Sequence, residues 1–474
     1  MRRWISFALV GVLALAACGG GDDDDDTGGG GGDGNGETPE TPDLPECPLD
    51  ALETADQPVE ITMWHAMTRA SEEALIALTD RYNAEQDAVE VTLSASPSYD
   101  DNSTRYRSGL ETGELPDLVQ IEETGLQYMV DSASVLPAAS CIAADNYDTS
   151  DFIERVISYY TVNDVLWPMP FNVSNPILYY NRAAFVRAGL DPEAPPRTLE
   201  EVRAAAQTIV DTGANPYGIV MAGTPWFLEQ WFGKAGELYV DNENGRTERA
   251  TAVEFDNPTG VELFTWIDDM VDDGLMLMTP DGAIDHYLAV GNEQAAMTFD
   301  TSAALGTIAQ VLGEGQFAAV DLGFGPMVGP DSPDGGVLVG GAGLYVVNQS
   351  APEKQAAAYE FAKWLNEPQQ QAEWAAATGY VPTRQSAATM SPLAERWTEE
   401  PGYRIAYDQL LEGAANAATA GPVIGPYGQA GEGVRGAVID ALQAMLTEGV
   451  SPADALAQAA EEANAALEDY NSRF

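Results

Sequence analysis

Basic side chains are scarce in this sequence. Its 474 residues include 21 lysine and arginine residues against 75 aspartate and glutamate residues, which gives a formal net charge of −54 at pH 7. Lysine occurs only as Lys234, Lys354 and Lys363. A chain this acidic repels phosphate backbones and anionic lipid headgroups. We therefore expect no nucleic-acid partner and no electrostatic attachment to a membrane surface.

Histidine and the motifs of common enzymes are scarce as well. His65 and His286 are the only histidines, and neither stands in a zinc-binding spacing such as His-x-x-x-His. The sequence has no Gly-x-Ser-x-Gly nucleophile motif, no P-loop and no dinucleotide-binding glycine pattern after a strand. Paired carboxylates for glycoside cleavage remain open as an alternative, but no pattern places two of them together. We expect a protein that is not an enzyme and that uses no metal ion or cofactor.

Long apolar runs are absent except at the N-terminus. There, two arginines precede an apolar run over 5–17, which is shorter than the about 20 residues needed to cross a bilayer and is typical of a signal peptide. Residues 15–18 (LAAC) are similar to a bacterial lipobox, in which the cysteine carries lipid after cleavage. We expect a signal peptide over 1–17, export, and attachment to the membrane through lipid on Cys18. An ordinary signal peptide with a chance cysteine is the alternative.

Apolar residues are also rare in the segment that follows. Residues 18–57 contain a run of aspartates, a run of glycines and then a stretch rich in proline, threonine and glutamate. Such a segment buries too little apolar surface to offset its chain entropy, so we expect a disordered tether over 18–57.

Cysteine is the last scarce residue type, with three in the chain. If Cys18 carries lipid, Cys47 and Cys141 remain as a pair that an oxidising compartment can join in a disulfide. That bond would tie the end of the tether to the first lobe. Two unpaired thiols are the alternative.

The remaining ~415 residues are too many for a single core and suggest two domains. Strand patterns at 59–64, 89–93 and 116–121 alternate with helix patterns at 71–85 and 103–114. This alternation predicts right-handed crossovers and a parallel sheet. A second α/β unit begins after residue 168, and helix patterns dominate from residue 352 onward.

Five stretches resemble the extracellular solute-binding proteins of ABC importers and, within that family, the glycerol-3-phosphate-binding members. They are 63–67 (MWHAM), 170–182 (PFNVSNPILYYNR), 188–192 (AGLDP), 340–345 (GGAGLY) and 378–382 (TGYVP). The resemblance covers essentially the whole chain after the tether. It implies an α/β fold with two lobes and a hinge, the type II periplasmic-binding-protein fold seen in maltose-binding protein. It implies a first lobe of 58–168 plus 300–348 and a second lobe of 169–299 plus 349–474.

The same resemblance implies which residues contact a ligand in the cleft. They are Tyr99, Glu123, Ser174, Trp226, Thr301, Gly341, Tyr380 and Arg435. In this interpretation Arg435 offers two parallel charge-assisted hydrogen bonds to a phosphate. Glu123 accepts hydrogen bonds from glycerol hydroxyls, the other hydroxyl groups donate, and Gly341 lets the backbone approach closely.

The implied function is capture of sn-glycerol 3-phosphate or a glycerophosphodiester such as glycerophosphocholine. A monomer would deliver this ligand to the transmembrane subunits of an ABC permease. The family usually carries two tryptophans near the cleft, but here Ala222-Gly223 stands where the partner of Trp226 is expected, which leaves the head-group preference open. The same role for a sugar or oligosaccharide is the alternative, since Trp226, Tyr99 and Glu123 also suit a sugar.

Overall fold

The computed structural model describes residues 44–55, 58–280, 284–308, 317, 320–427 and 432–474. The predicted signal peptide over 1–17, the lipidation site Cys18 and most of the predicted tether lie outside the described residues. In the part that is described, no helix combines the length and the apolar character needed to cross a membrane.

The strands of the described residues are numbered in chain order. They are β1 Val59–His65, β2 Val89–Ala95, β3 Leu118–Glu122, β4 Val135–Leu136, β5 Thr161–Val162, β6 Val165–Leu166, β7 Met169–Ser174, β8 Pro176–Asn181, β9 Tyr217–Ala222, β10 Met276–Thr279, β11 Ala295–Thr301, β12 Leu322–Pro326 and β13 Gly340–Val347.

The principal helices alternate with these strands along the chain. They are Asp50–Glu53, Arg69–Glu85, Tyr99–Thr112, Leu126–Asp131, Ala138–Asp145, Glu154–Tyr160, Arg182–Ala188, Leu199–Asp211, Trp226–Ala235, Pro258–Asp272, Asp285–Gly291, Pro352–Leu365, Pro368–Thr378, Leu393–Glu399, Ile405–Glu412, Ala417–Ala420, Gly433–Gln443 and Pro452–Asn471.

The first sheet has the order β2-β1-β3-β13-β4, and β7 also pairs with β13. Strands β1, β2 and β3 run parallel, as the alternating strand and helix patterns predict. Val89 and Val91 of β2 are buried while the residues between and after them are exposed, which explains the alternating pattern of that strand. β13 is antiparallel to β3, β4 and β7.

The second sheet has the order β10-β9-β11-β8-β12. β9, β10 and β11 are parallel, whereas β8 runs antiparallel to both β11 and β12. Every residue of β8 is buried. The Thr198 side chain caps the helix Leu199–Asp211 by accepting a hydrogen bond from the Glu201 backbone N–H.

The structure corrects the predicted lobe boundaries in three places. Strand β7 was assigned to the second lobe, but it is fully buried and hydrogen-bonds to β13 of the first sheet. Strand β12 was assigned to the first lobe, but it pairs with β8 of the second sheet. The helices Pro352–Leu365 and Pro368–Thr378 pack on β1, β13 and the helix Arg69–Glu85, so they belong to the first lobe. Sequence order alone does not say which sheet a returning segment joins.

Arg155 connects the first lobe to the second. Its helix packs on β7, and its guanidinium donates hydrogen bonds to the backbone oxygens of Leu410 (2.9 Å), Val337 (2.7 Å) and Thr419 (2.9 Å). Gly413 allows this approach, because a Cβ there would lie 2.2 Å from Nη1 of Arg155. The acceptors belong to the returning segment before β13 and to the helices around the second sheet.

Residues 44–55 depart from the prediction of a disordered tether. Cys47 and Cys141 form a disulfide, and both residues are buried. The short helix Asp50–Glu53 packs on the helix Pro352–Leu365. Leu49 and Leu52 contribute partly buried side chains to the core, which gives this segment the apolar contacts that the sequence pattern did not reveal.

Replacing both Cys47 and Cys141 by serine is expected to lower the free energy of unfolding. The bond closes a loop with a sequence separation of 94 residues, and loop-closure entropy for such a loop predicts a loss of about 2–5 kcal/mol. Denaturant unfolding with and without reductant measures this. The reductant should destabilise the natural protein and leave the double variant unchanged. Labelling of both cysteines in unfolded, unreduced protein would contradict the bond.

Candidate ligand-binding cleft

A cavity of about 680 Å³ opens where the strands of the two sheets end. All eight predicted contact residues line it: Tyr99, Glu123, Ser174, Trp226, Thr301, Gly341, Tyr380 and Arg435. The lining also includes Ser98, Asp100, Glu122, Ala222, Thr224, Pro225, Phe227, His286, Asp300, Ala303 and Ile439. Residues more than 300 positions apart in the sequence therefore share one site, and both sheets contribute to it.

Two tyrosines from distant parts of the chain meet on the first-lobe side. Tyr99 begins the helix Tyr99–Thr112, whose N-terminus is capped by the Ser98 side chain. Its hydroxyl lies 3.3 Å from the Tyr380 hydroxyl and accepts a 2.7 Å hydrogen bond from the Asn172 side-chain amide. Tyr380 stacks on Trp374 with ring centroids 5.4 Å apart. These contacts hold two hydroxyl groups at the cavity wall.

The glycine pair that begins β13 allows two other groups to come close. Gly341 has φ +104°, and a Cβ there would lie 1.8 Å from the backbone oxygen of Asn172. At Gly340, which pairs with Ser174, a Cβ would lie 2.8 Å from the Trp226 ring. Only glycine fits both positions, so the cavity wall here consists of exposed backbone and an indole ring.

Arg435 does not present the double donor that the sequence interpretation assigned to it. Its Nε and Nη2 each donate a 2.8 Å hydrogen bond to a carboxylate oxygen of Glu229. Both residues are buried, with exposed fractions of 8% and 3%. Nη1 takes part in neither bond and lies 3.9 Å from Glu122. A ligand therefore meets the Nη1 end of the guanidinium and not its Nε–Nη2 edge.

Carboxyl groups surround Arg435 on the first-lobe side as well. Glu122 ends β3, and Glu123 follows it, with Oε1 4.0 Å from Nη2 of Arg435. Burial raises the pKa of Glu123 well above its ordinary value of 4.5, and the charge of Glu122 raises it further, against the opposing effect of Arg435. Burial also raises the pKa of Glu122. Oε2 of Glu123 is buried and has no hydrogen-bond partner among the described residues.

The pKa of Arg435 moves in the opposite sense to what burial alone would cause. Burial lowers the pKa of this guanidinium, but the charge of Glu229 and its two hydrogen bonds outweigh burial and hold the pKa well above its ordinary value. Arg435 is therefore a permanent cation. Among the described residues that line the same cavity, four are acidic: Asp100, Glu122, Glu123 and Asp300.

A histidine–aspartate pair on the second-lobe side was missed by the sequence analysis. Nε2 of His286 lies 2.6 Å from Oδ2 of Asp300, and the His286 ring is buried. Asp300 stands next to the predicted contact Thr301, whose hydroxyl accepts a hydrogen bond from the Ala303 backbone. Its position beside Thr301 was a usable signal, whereas nothing in the sequence relates His286 to it.

Glu122 and Glu229 were also missed. Glu122 directly precedes the predicted Glu123, but strand alternation assigns adjacent residues to opposite faces, which argued against counting both. Glu229 lies 206 positions from Arg435, and its carboxylate is one of many in this acidic chain. In the described ranges, no group of three or more His, Cys, Asp or Glu side chains is arranged to hold a metal ion.

Residues 77–404 match the bacterial extracellular solute-binding protein family. This match spans more than half of the chain. The chain belongs to this family. Its members are exported substrate-binding proteins of ABC transporters and are not enzymes, so this solute-binding protein is not an enzyme.

Curated relatives of this solute-binding protein include two sn-glycerol-3-phosphate-binding periplasmic proteins named UgpB. The protein of Pectobacterium atrosepticum is 28% identical over 426 residues, which are 88% of this chain and 93% of that protein. The protein of Rhizobium meliloti is 28% identical over 423 residues, covering 87% of this chain and 95% of that protein.

Solved structures of similar fold bind different compounds. The cyclic α-maltosyl-1,6-maltose binding protein of Arthrobacter globiformis has a TM-score of 0.69 and 26% identity, covering 87% of this chain and all (100%) of that chain. UgpB of Mycobacterium tuberculosis in complex with glycerophosphocholine has a TM-score of 0.71 and 19% identity, covering 88% of this chain and 99% of that chain. The predicted two-lobed, maltose-binding-protein-like α/β fold is confirmed.

Replacing Gly341 by alanine is expected to distort the cavity wall, because the new Cβ would overlap the Asn172 backbone oxygen and the residue would be held at a positive φ. We expect a loss of about 1–3 kcal/mol in the free energy of unfolding together with weaker ligand binding. Denaturant unfolding and calorimetry measure the two effects. Gly223→Ala is the matched control, since its nearest contact would be an ordinary 3.5 Å. Equal losses of unfolding free energy and of ligand affinity in the two variants would contradict this prediction.

The raised pKa of Glu123 predicts a pH dependence of stability. Above about pH 4.5 the unfolded chain releases the Glu123 proton while the folded protein retains it. The free energy of unfolding should therefore fall as pH rises, by about 1.4 kcal/mol for each unit by which the pKa is raised. Urea unfolding measures this at pH 5 and pH 7.5. Between these values the free energy of unfolding should fall less in Glu123→Gln than in the natural protein. The exposed Glu111→Gln is the control, and an unchanged slope in Glu123→Gln would rule out the effect.

Proposed function

We propose that this solute-binding protein captures a glycerol phosphate compound, either sn-glycerol 3-phosphate or a glycerophosphodiester such as glycerophosphocholine. The observation that supports this most is the meeting of all eight predicted contact residues in one cavity. These positions were selected by a resemblance to glycerol-3-phosphate-binding proteins, and curated relatives with that name align over most of the chain.

Donors for a phosphate group surround the cavity. Ser174 and Thr301 supply hydroxyls, the Gly341 backbone is accessible because no side chain covers it, and Nη1 of Arg435 supplies a charged donor. Tyr99 and Tyr380 add two phenol hydroxyls that lie 3.3 Å apart. In the proposed complex the phosphate accepts from these groups.

Glu123 holds the glycerol hydroxyls in the proposed complex. The raised pKa favours its neutral form, and a protonated carboxyl group both donates and accepts a hydrogen bond. This revises the role expected from the sequence, in which an ionised Glu123 only accepted. The buried, unpartnered Oε2 has the capacity for such a bond, because an unsatisfied buried polar atom costs free energy until a partner arrives.

A neutral sugar or oligosaccharide is the second candidate ligand. Glu229 already accepts two hydrogen bonds from Arg435, and four acidic side chains line the cavity. Both features make the cavity less favourable for an anion. Trp226, Tyr99 and Tyr380 provide aromatic surfaces that suit a sugar ring. In this alternative Trp226 carries more of the binding free energy than Arg435.

The remaining parts of the chain complete the proposed role. We propose that residues 1–17 direct export, that lipid on Cys18 anchors the protein, and that the segment before Cys47 acts as its tether. The protein would act as a monomer, with the lobes closing over the ligand by a hinge motion near Asn175 and the segment 327–339. The closed form would then deliver its ligand to the transmembrane subunits of an ABC permease.

Calorimetry with glycerophosphocholine, sn-glycerol 3-phosphate and maltose tests the proposal. We expect binding of at least one phosphate compound and no heat with maltose. Arg435→Ala should weaken phosphate binding at least roughly tenfold, as expected for a lost charge-assisted hydrogen bond. Thermal unfolding of each variant controls for loss of the fold.

The opposite pattern would favour the sugar. Binding of maltose with no heat from either phosphate compound, abolished in Trp226→Ala and retained in Arg435→Ala, would overturn the glycerol phosphate proposal while leaving the family assignment intact.

A further inference from the structure

Glu229 lies behind the cavity wall and acts on it through Arg435. It belongs to the helix Trp226–Ala235, is 3% exposed and does not line the cavity. Trp226, which does line the cavity, begins the same helix. The two 2.8 Å hydrogen bonds from Nε and Nη2 of Arg435 saturate one edge of the guanidinium.

This arrangement has a geometric consequence for an incoming phosphate. An arginine binds a phosphate most strongly when two parallel N–H groups donate to it. Glu229 already occupies the Nε–Nη2 edge, and Nη1 lies near Glu122. A phosphate in the cavity therefore gains one guanidinium nitrogen, whereas the exposed edge of an unpaired arginine would offer two.

It also has an electrostatic consequence. The charge of Glu229 compensates that of Arg435, so the pair presents little net positive charge to the cavity. Burial lowers the effective dielectric constant, so each uncompensated charge acts more strongly here than in water. A ligand with two negative charges is disfavoured relative to a ligand whose charges sum to zero.

We propose that Glu229 is a positioning residue that determines ligand charge. By holding Arg435 along its Nε–Nη2 edge, it makes the cleft prefer a zwitterionic phosphodiester, such as glycerophosphocholine, over a dianionic phosphomonoester, such as sn-glycerol 3-phosphate. This inference rests on the proposed function, since it requires that glycerol phosphate compounds bind in this cavity. It deepens that proposal by naming the charge class of the ligand.

Calorimetry of the natural protein and of Glu229→Gln with both phosphate compounds tests it. In the natural protein we expect glycerophosphocholine to bind more tightly. In Glu229→Gln we expect the ratio of the two affinities to shift toward sn-glycerol 3-phosphate by roughly tenfold or more, because the negative charge that compensates Arg435 is removed. If Glu229 has a purely structural role, Glu229→Gln should lower the affinity for both ligands alike and leave their ratio unchanged.

Two variants control this experiment. Glu229→Asp retains the charge and should keep the preference of the natural protein. Glu237→Gln removes a nearby carboxylate that accepts hydrogen bonds from Asn257 and Thr259, outside the cleft, and should also keep the preference. A shift of the ratio in Glu237→Gln as large as that in Glu229→Gln would overturn the assignment to Glu229.

A measurement on the natural protein covers the case in which Glu229→Gln fails to fold. The second pKa of a phosphate monoester is about 6, and a diester has no such step. Between pH 5 and pH 7.5, affinity for sn-glycerol 3-phosphate should fall relative to that for glycerophosphocholine. The groups Glu122, Glu123, Asp100, Asp300, His286 and Arg435 face both ligands, so the diester serves as the internal reference.

The outcomes separate the two proposals. If neither phosphate compound binds, the proposed function is contradicted. Binding of both, with an unchanged affinity ratio in Glu229→Gln or a pH-independent ratio in the natural protein, would leave that function in place and overturn the role of Glu229.

Discussion

The antiparallel insertion of β13 into the first sheet is the constraint on which the rest of the fold depends. β13 pairs with β3 on one side and with β4 and β7 on the other, so segments of the first half of the chain are held together by a strand that comes after residue 339. The chain can supply that strand only by returning from the second sheet. The return places Gly341 beside Asn172 and Ser174, and it makes the cavity composite from both sheets.

Charge in the cavity has to be considered apart from charge on the surface. The net charge of −54 gives a long-range field that repels anions, but salt screens that field over about 10 Å at 0.1 M ionic strength. Inside the cavity, screening is weaker and a few groups dominate. Arg435 is there a permanent cation, while burial shifts Glu122 and Glu123 toward their neutral forms. The protonated carboxyl groups moderate the repulsion of a ligand phosphate.

The sequence predicted what depends on local pattern and on motifs with their own chemistry. The parallel β1–β3 unit followed from alternating strand and helix patterns, and Gly341 followed from the resemblance to the solute-binding family. The lobe assignment of β7, β12 and the helix Pro352–Leu365 was wrong, because the order of segments in the sequence does not say which sheet each one joins. Glu229 was not predictable, since its role depends on one contact with Arg435 across 206 positions.

Two buried arginines show how differently this chain uses the same side chain. Arg155 donates to three backbone oxygens, and burial lowers its pKa to about 10, so it remains charged at neutral pH. Backbone acceptors neither titrate in this range nor depend on a ligand, and a rotation between the lobes that preserves these three bonds must pivot near Arg155. Arg435 is instead paired with a carboxylate and faces the cavity. Glu122 and Glu123 belong to the first lobe, whereas Arg435 and Glu229 lie on helices of the second, so the 3.9 Å and 4.0 Å separations of Arg435 from Glu122 and Glu123 span the two lobes. Arg155 thus joins the lobes through bonds that are independent of the ligand, and Arg435 joins them through charges that a ligand can alter.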